Sequence, residues 1–254
     1  MVRDWEAEAR DRVAFIRQAM KEAGAEGLVF GNSGGKDCAL VGILCKMACD
    51  TVLGVIMPCA SRQNYGPDRD DALAVAAQYG IDTATVELTN VRETILSAAE
   101  QAGPVNAMAR SNLAPRLRMT TLYAVAQSRK SLVVGTGNRS ERYMGYFTKW
   151  GDGAYDLNPI GDLTVREVYA FLRHLRAPAH VLEKAPSAGL YDGQTDEADM
   201  GISYEAIDRF LLEGEADEAD RAILARYHSR SAHKRKSAPI YGAEQGDAEQ
   251  GGAE

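Results

Sequence analysis

Residues 31–38 read Gly-Asn-Ser-Gly-Gly-Lys-Asp-Cys, and these residue types in this order are suited to holding phosphate. Gly31, Gly34 and Gly35 let the backbone approach a ligand closely. The stretch sits between an apolar run bounded by glycines, GLVFG at 27–31, and an apolar segment at 36–48 long enough for a buried helix. A strand–loop–helix arrangement of this kind points the unpaired N–H groups of the helix N-terminus at an anion. Two widespread phosphate-loop patterns are excluded. GxxxxGK[ST] fails at Phe30 and Asp37, and GxGxxG fails at Ser33 and Lys36. What remains is Ser33-Gly34-Gly35-x-Asp37.

A second stretch with chemical potential is VVGTGNRSERYMGYFTKWGDGAYDLNPIGDL at 133–163. It shows a strand end, Thr136 just beyond it, then Glu141, Lys149, Asp152 and Asp156 in a glycine-rich segment with Tyr146, Phe147, Trp150 and Tyr155. Ligands of open α/β sheets sit beyond the carboxyl ends of the strands, so this segment lies where a substrate would.

The elements that must position these two stretches follow from hydrophobic periodicity. Trp5, Ala9, Val13, Ile16 and Met20 recur at helical spacing and predict an amphipathic helix over 4–23. Short apolar runs predict strands at 27–31, 51–58, 83–88 and 131–136. Helices are expected at 36–48, 67–80, 91–102 and 113–129, the last with Pro115 in its first turn. This alternation predicts an α/β fold, a parallel Rossmann-like sheet flanked by helices on both faces. Residues 137–163 lack a clear period and read as one long loop, and C-terminal helices are expected near 164–175, 203–212 and 217–228. One domain over 1–241 follows, with an acidic, low-complexity tail at 242–254 expected to be disordered.

Composition narrows the function. The 254 residues carry 29 Lys+Arg against 36 Asp+Glu, so a nucleic-acid partner is not expected. No apolar run reaches 18 residues, and the charged N-terminus does not read as a secretory signal, so no membrane role is expected. Cys38, Cys45, Cys49 and Cys59 contain no CxxC pair. They read as buried thiols of a protein in a reducing cytoplasm.

Ser33-Gly34-Gly35-x-Asp37 resembles the pyrophosphate-binding loop of the ATP pyrophosphatases, in which a carboxylate at the loop's end can hold the Mg²⁺ that neutralises the phosphates. Together with NLAPRLRMTTLYAVAQ (112–127), GTGNRSE, GYFTKWGDGAYD, SAGLYDGQTDEADMGISYEAID (187–208) and HKRKSAP (233–239), the chain resembles the ammonia-dependent NAD synthetases from about residue 12 to 239. The resemblance implies an enzyme that joins ammonia to deamido-NAD through an adenylated intermediate, consuming ATP and releasing AMP and pyrophosphate. It implies that Gly31, Asn32, Ser33, Gly34, Gly35, Lys36, Asp37 and Cys38 wrap the ATP phosphates, with Thr136 and Ser187 also on ATP. Asp37 and Glu141 would hold Mg²⁺. Asn112, Arg116, Lys149 and Asp156 would bind the nicotinate mononucleotide half of deamido-NAD, and His233 and Lys234 would close over the site. A homodimer is implied in which the 112–128 helix meets its symmetry mate through Leu113, Leu117, Thr120, Thr121, Ala124 and Gln127. The chain holds no amidase segment, so free ammonia is the expected nitrogen source. Two departures stand out: Cys38 replaces the usual hydroxyl residue, and Val165 replaces a lysine that contacts ATP, with Arg166 the neighbouring cation. The alternatives are another ligase or tRNA-thiolating enzyme of the superfamily, or a nucleotide-binding relative without turnover.

Overall fold

A computed structural model describes residues 3–61, 65–183 and 195–242. Strand β1 (Gly27–Gly31) lies between β2 (Val52–Ile56) and β4 (Ser131–Val134), and β3 (Asp82–Thr85) extends the sheet beyond β2. Every pairing is parallel, with Leu28 opposite both Val52 and Leu132. Parallel neighbours need crossover connections. Helix α2 (Lys36–Ala48) joins β1 to β2, and α3 (Pro67–Tyr79) lies between β2 and β3. Helices α4 (Thr89–Glu100) and α5 (Ala107–Ser128) lie between β3 and β4.

Side chains alternate across a strand, and here the two sides feed two separate cores. Leu28, Phe30, Val52 and Val134 pack with Leu40 and Leu44 of α2 and with Ile16 of α1 (Trp5–Ala23). Val29, Leu53, Val55 and Val133 pack with Ala114, Leu117 and Leu122 of α5. The expected parallel sheet with helices on both faces is therefore present. A third apolar cluster joins the C-terminal half. Met144 of α6 (Arg139–Met144), Val165 of α7 (Val165–His174) and Ile207 of α10 (Tyr204–Glu213) meet Leu224 of α11 (Glu218–Arg230). Two short helices, α8 (Ala179–Glu183) and α9 (Asp196–Met200), complete the described elements of this half apart from a 3-10 turn at Ala232–Lys234.

Three local readings are corrected. Helix α5 begins at Ala107, where the Asn106 side chain accepts from the Ala109 N–H, so Pro115 lies inside the helix and not in its first turn. Having no N–H, Pro115 cannot bond the Ser111 carbonyl, and the ladder lacks one rung there. Residues 137–163 are not one loop, because α6 forms inside them with a complete capping box between Asn138 and Glu141. Strand β3 ends at Thr85, although the Val86 and Leu88 amides still bond the Ile56 and Pro58 carbonyls at 2.9 and 3.0 Å.

Cys38, Cys45 and Cys59 are buried, Cys49 is half-buried, and all four are free thiols. Among the described residues no helix is long and apolar enough to cross a membrane. Ser187 and all but Gly242 of the acidic tail lie outside the described residues.

Candidate active site

A cavity of about 1010 Å³ opens beyond the carboxyl ends of β1, β2 and β4. Its floor is the loop leaving β1. Gly34 takes φ +74°, and a Cβ there would stand 2.2 Å from the Asp68 carbonyl oxygen of α3, so only glycine fits. Asn32 braces the loop: its side-chain amide donates to the Ala72 carbonyl at 3.2 Å, and its oxygen accepts from the Gly34 N–H at 3.3 Å. Gly35 is the N-cap of α2 and provides no side-chain cap, so the first-turn N–H groups have no capping side chain of their own. Ser33 Oγ accepts from the Gly35 N–H at 3.3 Å and lies 3.1 Å from Cys38 Sγ. Burial pushes the Cys38 thiol above its ordinary pKa despite the Ser33 contact, so it stays protonated and is no nucleophile.

The acidic pair assembles from two strand ends. Asp37 stands in the first turn of α2 after β1, and Glu141 in the first turn of α6 after β4. Asn138, fully buried, connects them: its side-chain amide donates to Asp37 Oδ1 at 3.2 Å and its backbone N–H donates to Glu141 Oε2 at 3.2 Å. Burial and then the charge of Asp37 push the Glu141 carboxyl well above its usual range, with Lys36 pulling the other way. Lys36 Nζ reaches Asp37 Oδ2 at 2.7 Å. Burial opposes its charge, yet Asp37 and Glu141 outweigh burial and hold the ammonium above the ordinary lysine range.

Among the residues expected on the ligands, Gly31, Asn32, Ser33, Gly35, Lys36, Asp37, Cys38, Asn112, Thr136, Glu141, His233 and Lys234 all line this one cavity. Asn112 Oδ1 accepts from the Thr148 hydroxyl at 2.9 Å. Lys234 Nζ donates to the Gly145 and Phe147 carbonyls at 2.8 and 2.7 Å, and burial pulls its pKa below the usual value. Gly34, Arg116, Lys149 and Asp156 are not among the lining residues. Lys149 Nζ donates to the His233 carbonyl at 2.8 Å, and Arg116 is exposed with Nε 3.4 Å from the Lys149 carbonyl. Asp156 holds the end of β4, accepting from the Val133 N–H at 2.7 Å and from the Tyr123 hydroxyl at 3.2 Å. Val165 is buried in the third core, and Arg166 is paired with Glu213 at 2.8 Å outside the cavity, so Arg166 adds no cation to the site.

Several lining residues were not singled out from the sequence as ligand contacts: Asp68, Arg69, Arg118, Asp152, Asp196, Arg226 and Arg230. Arg118 Nε donates to the Met57 carbonyl at 3.1 Å, and burial lowers its pKa. Asp152 accepts from the Thr148 N–H at 3.0 Å, and burial raises its pKa. The signal for Arg118 was in the spacing: Met108, Ser111, Asn112, Pro115, Arg118, Met119 and Leu122 are the α5 residues on the cavity and recur at helical period.

The family model described as NAD synthase matches residues 8–238. The chain is 43% identical over 236 residues to the NH(3)-dependent NAD(+) synthetase of Carboxydothermus hydrogenoformans, covering 92% of this chain and 96% of that protein. It superposes with TM-score 0.90 on NMN synthetase from Francisella tularensis, at 34% identity over 95% of this chain and 100% of that one. NAD+ synthetase from Burkholderia pseudomallei gives TM-score 0.76 at 31% identity, covering 92% and 91%. With a match across nearly the whole chain and the phosphate loop and acidic pair in one cavity, the chain belongs to the NAD synthase family, a family of carbon–nitrogen ligases.

Proposed function

We propose that the chain makes NAD from deamido-NAD and ammonia, consuming ATP and releasing AMP and pyrophosphate. The observation that carries this reading is the convergence of the 31–38 loop, Asp37 and Glu141 on one cavity in a member of this family. A nicotinate carboxylate is a poor electrophile because its oxygen is a poor leaving group. Its oxygen attacks the α-phosphorus of ATP, the bond to the bridging oxygen breaks, and pyrophosphate departs. Ammonia then adds to the activated carbonyl, the C–O bond to AMP breaks, and the nitrogen loses a proton.

The protein's part is positioning and charge stabilisation. Backbone N–H groups at the start of α2 receive the β,γ-phosphates, and Thr136 and Asn112 border the same space. Tyr146 and Phe147 wall it beside Lys234, whose ammonium donates to the Phe147 carbonyl. Thr136 and Ser187 are assigned to ATP. Asp37 and Glu141 fit a magnesium ion: two half-buried carboxylates on a phosphate cavity suit a cation that takes few protein ligands and keeps phosphate and water oxygens. When bound, the ion would neutralise charge on the phosphates.

Arg116, Lys149 and Asp156 do not line the cavity, and we assign them to deamido-NAD across a homodimer interface. Leu113 and Leu117 pack into this chain's own core, which leaves Thr120, Ala124 and Gln127 exposed on α5 for the partner helix. We assign the enzyme to the cytoplasm, a reading that its four free thiols and this metabolic role support.

The higher TM-score with the NMN synthetase supports a second reading, in which the acceptor is the mononucleotide carboxylate alone. One experiment decides. Purified protein with ATP and Mg²⁺ is given deamido-NAD or nicotinate mononucleotide, each with ammonium or with ammonia-free glutamine, and products are separated by chromatography. NAD from deamido-NAD with ammonium alone is expected. Faster turnover of the mononucleotide would establish the second reading, and equal rates from glutamine would overturn the ammonia assignment.

A further inference from the structure

Lys36 is 6% exposed, and a buried ammonium needs an anionic partner. It does not stand alone among the loop's phosphate-binding groups: Nζ is turned to Asp37 Oδ2 at 2.7 Å. The ring centroids of Tyr204 and Tyr169 lie 5.6 and 6.0 Å from Nζ, and aromatic faces attract a cation. Tyr204 is itself fixed, its hydroxyl donating to buried Asp196 at 3.0 Å. Asn138 meanwhile ties Asp37 to the segment that carries Glu141. The ammonium therefore rests against Asp37 and acts electrostatically on Glu141, the two carboxylates assigned to the metal.

We propose that Lys36 is a resident counter-cation of the Asp37–Glu141 pair, which keeps a divalent ion off these carboxylates until a nucleotide polyphosphate enters the cavity. The inference rests on the reading of Asp37 and Glu141 as metal ligands. With Lys36 in place, the negative charge that the pair can offer a metal is reduced by one, and one coordinating oxygen of Asp37 is engaged. A polyphosphate supplies a competing anion. The flexible four-carbon stem lets the ammonium turn to it, while the two tyrosine faces keep the ammonium within reach. Metal and nucleotide binding are then linked, and each strengthens the other by the same factor.

The test uses Mn²⁺ as the probe, with free ion counted by electron paramagnetic resonance, on the full chain with and without a non-cleavable α,β-methylene analogue of ATP. Without nucleotide, Lys36→Gln is expected to bind Mn²⁺ on the order of tenfold more tightly than wild type, since a nearby positive charge has been removed. Lys36→Arg, which keeps the cation, is expected to stay near wild type. Mn²⁺ affinity in Lys36→Gln no higher than in wild type overturns the proposal. Should Lys36→Gln not fold, as judged by circular dichroism, wild type alone decides: equal Mn²⁺ affinity with and without the analogue overturns it. The Asp37→Asn/Glu141→Gln double variant reports separately on the underlying reading. If it binds Mn²⁺ with the analogue as well as wild type does, these carboxylates are not metal ligands, whatever Lys36→Gln shows.

Discussion

Asn138 and Asp37 lie 101 positions apart, and the side-chain amide of Asn138 donates to Asp37 Oδ1 at 3.2 Å. The same residue caps α6, accepting from the Glu141 N–H at 3.0 Å. One buried side chain thus ties the first turn of α2 to the first turn of α6. Asn138→Ala is expected to lose about 1 kcal/mol of cap energy and to lower turnover roughly tenfold. Asn138→Ser keeps an N-cap acceptor but is too short to hold Asp37. Thermal melting should therefore recover in the serine variant while turnover stays low, and recovery of both would show that the bridge to Asp37 is unimportant.

Asp37→Ala and Glu141→Ala are each expected to reduce kcat on the order of 100-fold or more, because uncompensated phosphate charge raises the barrier. Cys38→Ala should cost far less, since burial raises its pKa and the thiol stands against the Ser33 and Thr136 side chains without supplying charge. Steady-state kinetics of the three variants check this. A dead Cys38→Ala beside a mild Asp37→Ala would reverse the assignment of the loop.

Much of this arrangement was legible before the structure. Strands β1 and β2 are continuous apolar runs because both faces are covered, whereas the edge strand β3 reads Asp-Thr-Ala-Thr and is largely exposed, and the loop after β1 announced itself by glycines and Asp37. Helix α6 was missed because six residues are too few to show a period. Its capping pattern, Asn138 followed three residues later by Glu141, was the available signal. The start of α5 was misplaced because a proline usually marks a first turn, whereas Pro115 sits inside a helix capped by Asn106. The resemblance assigns Asp156 to deamido-NAD, while its contacts to Val133 and Tyr123 are long-range and no spacing reveals them.

Gly34→Ala tests the loop's backbone. The substitution meets both a left-handed φ and the Asp68 carbonyl, so the loop or α3 must move. A loss of about 1–3 kcal/mol is expected in urea unfolding, with nucleotide affinity falling alongside. Unchanged stability and affinity would contradict the close approach of the loop to α3.

Asp162 anchors the amino-terminal helix to the segment before α7, meeting Arg12 at 2.6 and 2.8 Å and Arg3 at 3.1 Å. Burial would raise its pKa, but the two arginines outweigh burial and hold the carboxyl below its usual range. A depressed pKa contributes stability above the unfolded value, about pH 4, and that stability is lost as pH falls through the folded value. The side chain is 53% exposed, so screening limits the contribution to about 1 kcal/mol. Asp162→Asn should therefore be less stable than wild type at pH 7, with the gap closing in acid. A gap that persists at pH 2 would show that packing, not charge, is responsible.

Arg116 is exposed on α5 and does not line its own chain's cavity, whereas Asp37 does. If α5 packs against its symmetry mate, Arg116 serves the neighbour's site and the two residues belong to different chains of one active centre. Asp37→Ala and Arg116→Ala proteins, each inactive alone, are unfolded, mixed in equal amounts and reassociated. Half of the dimers are then mixed. In each of these one site carries both lesions and the other carries none, so about a quarter of wild-type activity returns. If both residues serve the same chain's site, every site carries one lesion and nothing is regained. Native mass spectrometry confirms that mixed dimers formed, so absent recovery in their presence refutes the shared site.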